Sequence, residues 1–187
     1  MGEAIMVGMA SVKVTRSPDD ILIALGLGSC ISVCAYDPRA QVVGMAHVVL
    51  PNSTGNEGPA GKFADTAIPL LLRNLLDLGA SASTVRIAIV GGAQLFAFHG
   101  KGARLEIGLR NVEAVKTALE KAGLTIVAED LGGSAGRTVQ LTGDGQVRVK
   151  IIGRAERELV SLGQPMTSAG VPLVHGTDAV PCAQGLG

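Results

Sequence analysis

The run ISVCAYDPRAQVVGMAHVVL, from Ile31 to Leu50, constrains the fold more than any other part of the chain. Ile31 to Tyr36 reads as a strand, Asp37-Pro38-Arg39-Ala40 as a turn, and Val42 to Leu50 as the returning strand. Two strands joined this tightly pair antiparallel as a hairpin.

Most of what remains also reads as strand. Ala4 to Val14 alternates loosely and suits an edge strand, and Ile21 to Leu25 is a short apolar strand after the turn Ser17-Pro18-Asp19-Asp20. Val85 to Val90, Leu124 to Ala128, Thr138 to Leu141 and Val147 to Ile152 follow, the last two joined by Thr142-Gly143-Asp144-Gly145. Two helices are predicted. The first spans Phe63 to Leu78, with Pro69 either kinking it or marking its first turn. The second starts at Asn111 as N-cap and stops at Gly123. Two helices cover one face of the sheet material, so the fold class is α+β, mostly antiparallel, with a layer of helix over packed sheets.

With 187 residues, a single domain over 1–158 is expected, followed by a disordered tail at 159–187 rich in Ser, Gly, Pro and Ala. Asn52 to Gly61 is a polar, glycine-rich loop. Aromatic residues make up only 2%, which leaves no stacking platform for single-stranded nucleic acid, and the net charge of +0 gives nothing to attract DNA or anionic lipid. The opening residues lack the pattern of a secretory signal, and segments such as IPLLLRNLLDL are too short and too interrupted to span a bilayer. A cytoplasmic protein without nucleic-acid or membrane partners is expected.

The chain has 3 cysteines, Cys30, Cys34 and Cys182, too few and too scattered for a disulfide framework or a zinc site. Cys30 and Cys34 differ in setting. Cys34 lies inside Ser-Val-Cys-Ala-Tyr, an ordinary strand interior, whereas Cys30 follows Gly26-Leu27-Gly28-Ser29, where glycines allow a sharp backbone turn and close approach by a substrate. A two-residue loop pairing Asp37 with Ala40, or a four-residue loop pairing Tyr36 with Gln41, sets Cys30 opposite His47 and Cys34 opposite Val43. Opposed residues have Cβ atoms about 4.5–5.5 Å apart, close enough for a thiol and an imidazole to share a proton. Cys30 is then a candidate nucleophile with His47 as its base, and the contact is expected to hold it as a thiolate. The backbone N–H groups of Ser29 and Cys30 are the first candidates for oxyanion donors, and Gly28 and Ser29 for substrate contacts. The bland alternative makes Cys30 a small buried hydrophobe and His47 a hydrogen-bonded core histidine.

Gly91-Gly92 and Gly132-Gly133 read as tight turns, and no phosphate-loop Gly-Lys-Ser/Thr follows the first pair. Asp65 and Thr66 read as the start of a helix. His99 and His175 have no acid or thiol partner in sequence and are assigned no site role.

The words LGLGSC at 25–30, YDP at 36–38, GMAHVVLP at 44–51, GKFADTA at 61–67, GGAQLF at 91–96, IGLRN at 107–111 and AEDLGG at 128–133 occur in the order and spacing of one family. The chain resembles CheD, the chemoreceptor glutamine deamidases of bacterial chemotaxis, from its first strand to about Ile152. The resemblance implies a layered α/β/β fold shared with deamidating bacterial toxins. It also implies a thiol amidohydrolase with Cys30 as nucleophile and His47 as base, needing neither metal nor organic cofactor. The implied partners are the helical cytoplasmic domains of chemoreceptors and, for some members, the phosphatase CheC.

One position departs from the family. A threonine six places before the nucleophile orients the histidine in family members, and here that place is Ala24. Without it, either Cys30 and His47 work as a dyad at a reduced rate, or Ser29, Thr66 or a backbone carbonyl substitutes. The alternative is a weakened enzyme kept as a regulatory module that binds chemoreceptors or CheC.

Overall fold

The computed structural model describes residues 2–94 and 107–164. His99, His175, Cys182 and the tail beyond 164 lie outside these residues. Ten strands and two helices build three layers among them. One sheet has the order β1 (Ala4–Met6), β3 (Ile21–Leu27), β8 (Arg137–Thr142), β9 (Gln146–Ile151), β10 (Arg157–Ser161). The other has the order β2 (Val12–Thr15), β5 (Val42–Val48), β4 (Ile31–Asp37), β6 (Arg86–Gly91), β7 (Thr125–Leu131). Helices α1 (Ala64–Asp77) and α2 (Ile107–Lys121) lie on the outer face of the second sheet. The predicted α+β layering holds, with only β1–β3 and β6–β7 parallel.

The middle sheet is covered twice, and its strands show it. Every residue of β4 and of β5 is buried, in keeping with continuous apolar runs rather than alternation. Ile31, Val33 and Ala35 point to the helices and meet Ile68, Leu71, Leu75, Val115 and Leu119. Cys34 and Tyr36 point the other way, into a core shared with Leu22, Ala24, Leu27, Val139 and Leu141. The outer sheet has one wet face, so β8 alternates strictly between buried and partly exposed positions. Close packing of α1 on β5 depends on Gly44, where an added Cβ would come within 2.8 Å of Leu71 Cδ1.

Several expectations need correction. The single edge strand predicted over Ala4 to Val14 is two strands in different sheets. Gly8 and Ala10, the latter at φ 62, turn the chain from β1 across the end of the sandwich into β2. The second helix is already formed at Ile107, so Asn111 is an interior residue with a fully buried side chain and not an N-cap. Pro69 is interior to α1, on an exposed position. Strand β10 crosses the expected boundary at 158, and Leu162 beyond it is buried.

The hairpin register also differs. Asp37 pairs with Val42, Ser32 with His47 and Cys34 with Met45, while Val43 faces Tyr36. The loop is residues 38–41, because the Asp37 carboxylate accepts the N–H groups of Arg39 (2.8 Å) and Ala40 (3.3 Å) and Gln41 takes φ 53. The turn thus consumes Ala40 and Gln41, which a two-residue loop pairing Asp37 with Ala40, or a four-residue loop pairing Tyr36 with Gln41, would put on rungs. Relative to that reading the partner strand moves by two positions. An even shift leaves every side chain on its expected face.

Candidate active site

Cys30 stands at the end of a bulge. The β3–β8 ladder loses register between Ala24 and Leu27, and Gly26 adopts φ 66, which a side chain would strain. Three consecutive carbonyls then receive donors from neighbouring elements. Gly28 accepts from the N–H of Ala93 (2.8 Å), Ser29 from Asn111 Nδ2 (2.9 Å) and Cys30 from the N–H of Gly92 (2.9 Å). Gly91 makes this possible, since a Cβ there would lie 2.1 Å from the Cys30 carbonyl oxygen. Gly91-Gly92 is therefore a point of close approach at the end of β6, where the sequence suggested only a tight turn.

His47 sits opposite Ser32, with Cys30 two residues before Ser32. All three belong to the face turned toward the outer sheet, so Cys30 and His47 are diagonal neighbours instead of a direct pair. Such diagonals lie about 7–8 Å apart, within reach of a ring but not of a short thiol at rest. No hydrogen bond joins the two side chains.

Burial sets their protonation. Desolvation pushes the half-buried Cys30 thiol above its ordinary value, a shift its own N–H only partly offsets. Desolvation also holds the His47 imidazole below its ordinary value, against a smaller upward pull from the Val7 carbonyl. Both groups are neutral near pH 7, and the resting thiolate expected from the sequence is replaced by a neutral pair. Cys34 is fully buried in the inter-sheet core and is pushed up to about 12, which leaves it inert.

The orientation of His47 comes from the crossover segment. Its Nδ1 lies 3.1 Å from the carbonyl oxygen of Val7. A carbonyl only accepts, so the proton is on Nδ1 and the Nε2 lone pair is left free. The segment is fastened to the same residue through the backbone. The N–H of Ala10 donates to the His47 carbonyl (3.0 Å), and the His47 N–H donates to Ser11 (3.0 Å). Gly61 lets it lie flat, since a Cβ at 61 would meet the Ala10 carbonyl at 2.4 Å. In the β1–β3 register Met6 pairs with Ile23, so Val7 lies alongside Ala24. The carbonyl thus comes from the strand next to the position where the sequence lacks a threonine. Thr66 is engaged elsewhere, donating to the carbonyls of Ala60 (2.6 Å) and Phe63 (3.3 Å), and Asp65 accepts from Ser53 at the start of α1.

Sequence reasoning allowed for a backbone carbonyl but not for Val7's in particular, and it missed the contacts of Asn111. The first carries no side-chain signal. The second left one, because Gly108, Asn111, Val115 and Leu119 form the buried stripe of α2 and a polar residue in that stripe asks for partners. Asn111 Nδ2 reaches both Ser29 and Val49 carbonyls at 2.9 Å, and its Oδ1 is buried without a partner. An unpaired buried acceptor costs about 1–3 kcal/mol. Among the described residues no cluster of His, Cys, Asp or Glu is arranged to hold a metal, and no helix is long and apolar enough to cross a membrane.

Comparison with known proteins agrees with the motifs. The family described as CheD chemotactic sensory transduction matches residues 49–151, more than half of the chain, in a stretch that begins just beyond Cys30 and His47. The probable chemoreceptor glutamine deamidase CheD of Desulfitobacterium hafniense is 45% identical over 161 residues, covering 84% of this chain and 99% of that protein. The corresponding protein of Symbiobacterium thermophilum is 44% identical over 157 residues, covering 82% and 95%. The chemoreceptor glutamine deamidase CheD of Halalkalibacterium halodurans is 40% identical over 163 residues, covering 85% and 100%. At this identity over nearly the whole of each relative, the chain belongs to the CheD family.

Proposed function

We propose that the chain is a protein-glutamine deamidase acting in the cytoplasm on the helical domains of chemoreceptors, with Cys30 as nucleophile and His47 as general base. The observation that carries this reading is the 3.1 Å contact between His47 Nδ1 and the Val7 carbonyl, which leaves Nε2 as a base on the face that also holds Cys30. The names of the relatives supply the substrate class.

The chemistry follows from a neutral pair. Sγ of Cys30 adds to the side-chain amide carbon of glutamine as His47 Nε2 takes the thiol proton. The oxyanion meets the N–H groups of Ser29 and Cys30, whose peptide carbonyls are turned toward β6 and α2. The imidazolium returns its proton to the amide nitrogen, ammonia leaves, and a thioester remains. Water deprotonated by His47 hydrolyses the thioester to glutamate and frees the thiol. Gly28 and Ser29 border the substrate's approach. The diagonal offset asks the thiol and ring to close on each other when substrate binds, as such pairs do in Michaelis complexes.

The regulatory reading, binding of receptors or CheC without chemistry, drew its support from Ala24. The Val7 carbonyl gives His47 a partner without a threonine, which supports the enzyme reading over the regulatory one. The experiment is incubation with a receptor cytoplasmic fragment and peptide mass spectrometry for glutamine-to-glutamate conversion, with Cys30→Ala as control. Conversion by the native chain alone supports the enzyme. No conversion on any receptor of the same cell overturns it.

A further inference from the structure

Among the three donors that hold the carbonyls of Gly28, Ser29 and Cys30, only the one on Ser29 is a side chain. Asn111 provides it from the buried face of α2, and its other amide N–H goes to Val49. The β4–β5 ladder ends with Ile31 opposite Val48, so the next rung would pair Cys30 with Val49. Asn111 stands at that missing rung and ties the strand of the nucleophile to the strand of the base. Both of its N–H groups are committed to carbonyls, which fixes the amide's orientation and strands Oδ1 without a partner.

In a trans peptide the C=O and N–H point in opposite directions. Holding the Ser29 carbonyl toward α2 therefore aims the Cys30 N–H away from α2. If the Ser29–Cys30 peptide flipped, its carbonyl oxygen would face the place where the substrate oxyanion forms, and a donor would become a repulsive acceptor. Leu27 and Gly28 are buried and cannot easily take up such a flip, but the backbone beside them already turns at Gly26.

We propose that Asn111 is a positioning residue of the oxyanion hole, holding the Ser29–Cys30 peptide in the one orientation that presents the Cys30 N–H to the tetrahedral intermediate. This rests on the deamidase reading and adds a residue to it. A purely structural Asn111 would affect every reaction of Cys30 alike. A residue that aims an oxyanion donor affects only reactions that develop an oxyanion.

The test uses the full chain and compares two reactions of the same thiol. Deamidation of a receptor fragment passes through an oxyanion, whereas alkylation by iodoacetamide is displacement at a saturated carbon and does not. For Asn111→Ala the expected result is a kcat for deamidation lowered by about 10²–10³-fold, the effect of losing one oxyanion donor, with KM little changed. The rate of Cys30 alkylation and its pH midpoint should stay near those of the native chain. If Asn111→Ala does not fold, Asn111→Gln replaces it, keeping both donors but displaced by a methylene, and the same split is expected. Unchanged kcat, or alkylation falling in step with kcat, overturns the role of Asn111. An inactive native chain overturns the deamidase reading instead, and this inference with it.

Discussion

The Val7 carbonyl accepts a hydrogen bond from His47 Nδ1 at 3.1 Å, and Val7 runs alongside Ala24 in the β1–β3 pair. On the proposed mechanism, a main-chain oxygen stands in for the threonine side chain. Introducing that threonine should then gain nothing. Ala24→Thr is expected to leave kcat within about twofold and to lower stability by about 1–3 kcal/mol, because Ala24 is fully buried and the extra atoms overpack its site. Steady-state deamidation and urea unfolding check the two halves. A large rate gain would show that the carbonyl is an inadequate substitute.

The two described cysteines should separate cleanly. Cys30→Ala is expected to reduce deamidation by about 10⁴-fold or more, since it removes the attacking atom. Cys34→Ala should keep kcat and cost about 1 kcal/mol of stability through lost packing in the inter-sheet core. Mass spectrometry of the substrate and denaturant midpoints distinguish these outcomes.

Burial of neutral His47 has a signed consequence for pH. Its folded-state pKa lies below the ordinary 6.5, so the unfolded chain takes up a proton at 6.5 while the folded chain does not. The contribution to stability is present above 6.5 and is lost as pH falls from there through the folded value. The acid limb of kcat/KM, which reports the free base, should likewise have its midpoint below 6.5. Alkylation of Cys30 should rise with a midpoint above 9.0, because burial raises the thiol. A Cys30 midpoint well below 9.0 would mean that a thiolate is held at rest and would refute the neutral pair.

Gly91→Ala tests the close approach at the end of β6. The new Cβ would stand 2.1 Å from the Cys30 carbonyl at a residue with φ 130. A loss of about 3 kcal/mol or more is expected, together with a fall in kcat as the nucleophile's backbone is displaced. Gly132→Ala, also at positive φ but with nothing within 4 Å of its Cβ, should cost less and spare activity.

Much of this was legible in the chain itself. The strand–turn–strand run from Ile31 to Leu50 marked an antiparallel hairpin, and the glycines before Cys30 set it apart from Cys34. The hairpin loop was misjudged because its length depends on an Asp37 carboxylate bonding its own turn and on Gln41 at φ 53, a conformation glycine or asparagine would have signalled more plainly. The error was even-numbered, so it altered distance without altering face. Asn111 was read as a cap because asparagine favours helix starts, while its partners Ser29 and Val49 lie far away in sequence. That the carbonyl is Val7's was beyond reach, since any residue carries one and only the crossover from β1 to β2 aims it.

That crossover ties the orientation of the His47 ring to both sheets at once. The imidazole acquires its tautomer only when the first strand has docked on β3 and the segment behind it has closed over β5, joining two sheets. A chain that has formed only the hairpin holds a thiol and an unoriented ring. On the deamidase reading, activity then requires the assembled sandwich and not the hairpin alone.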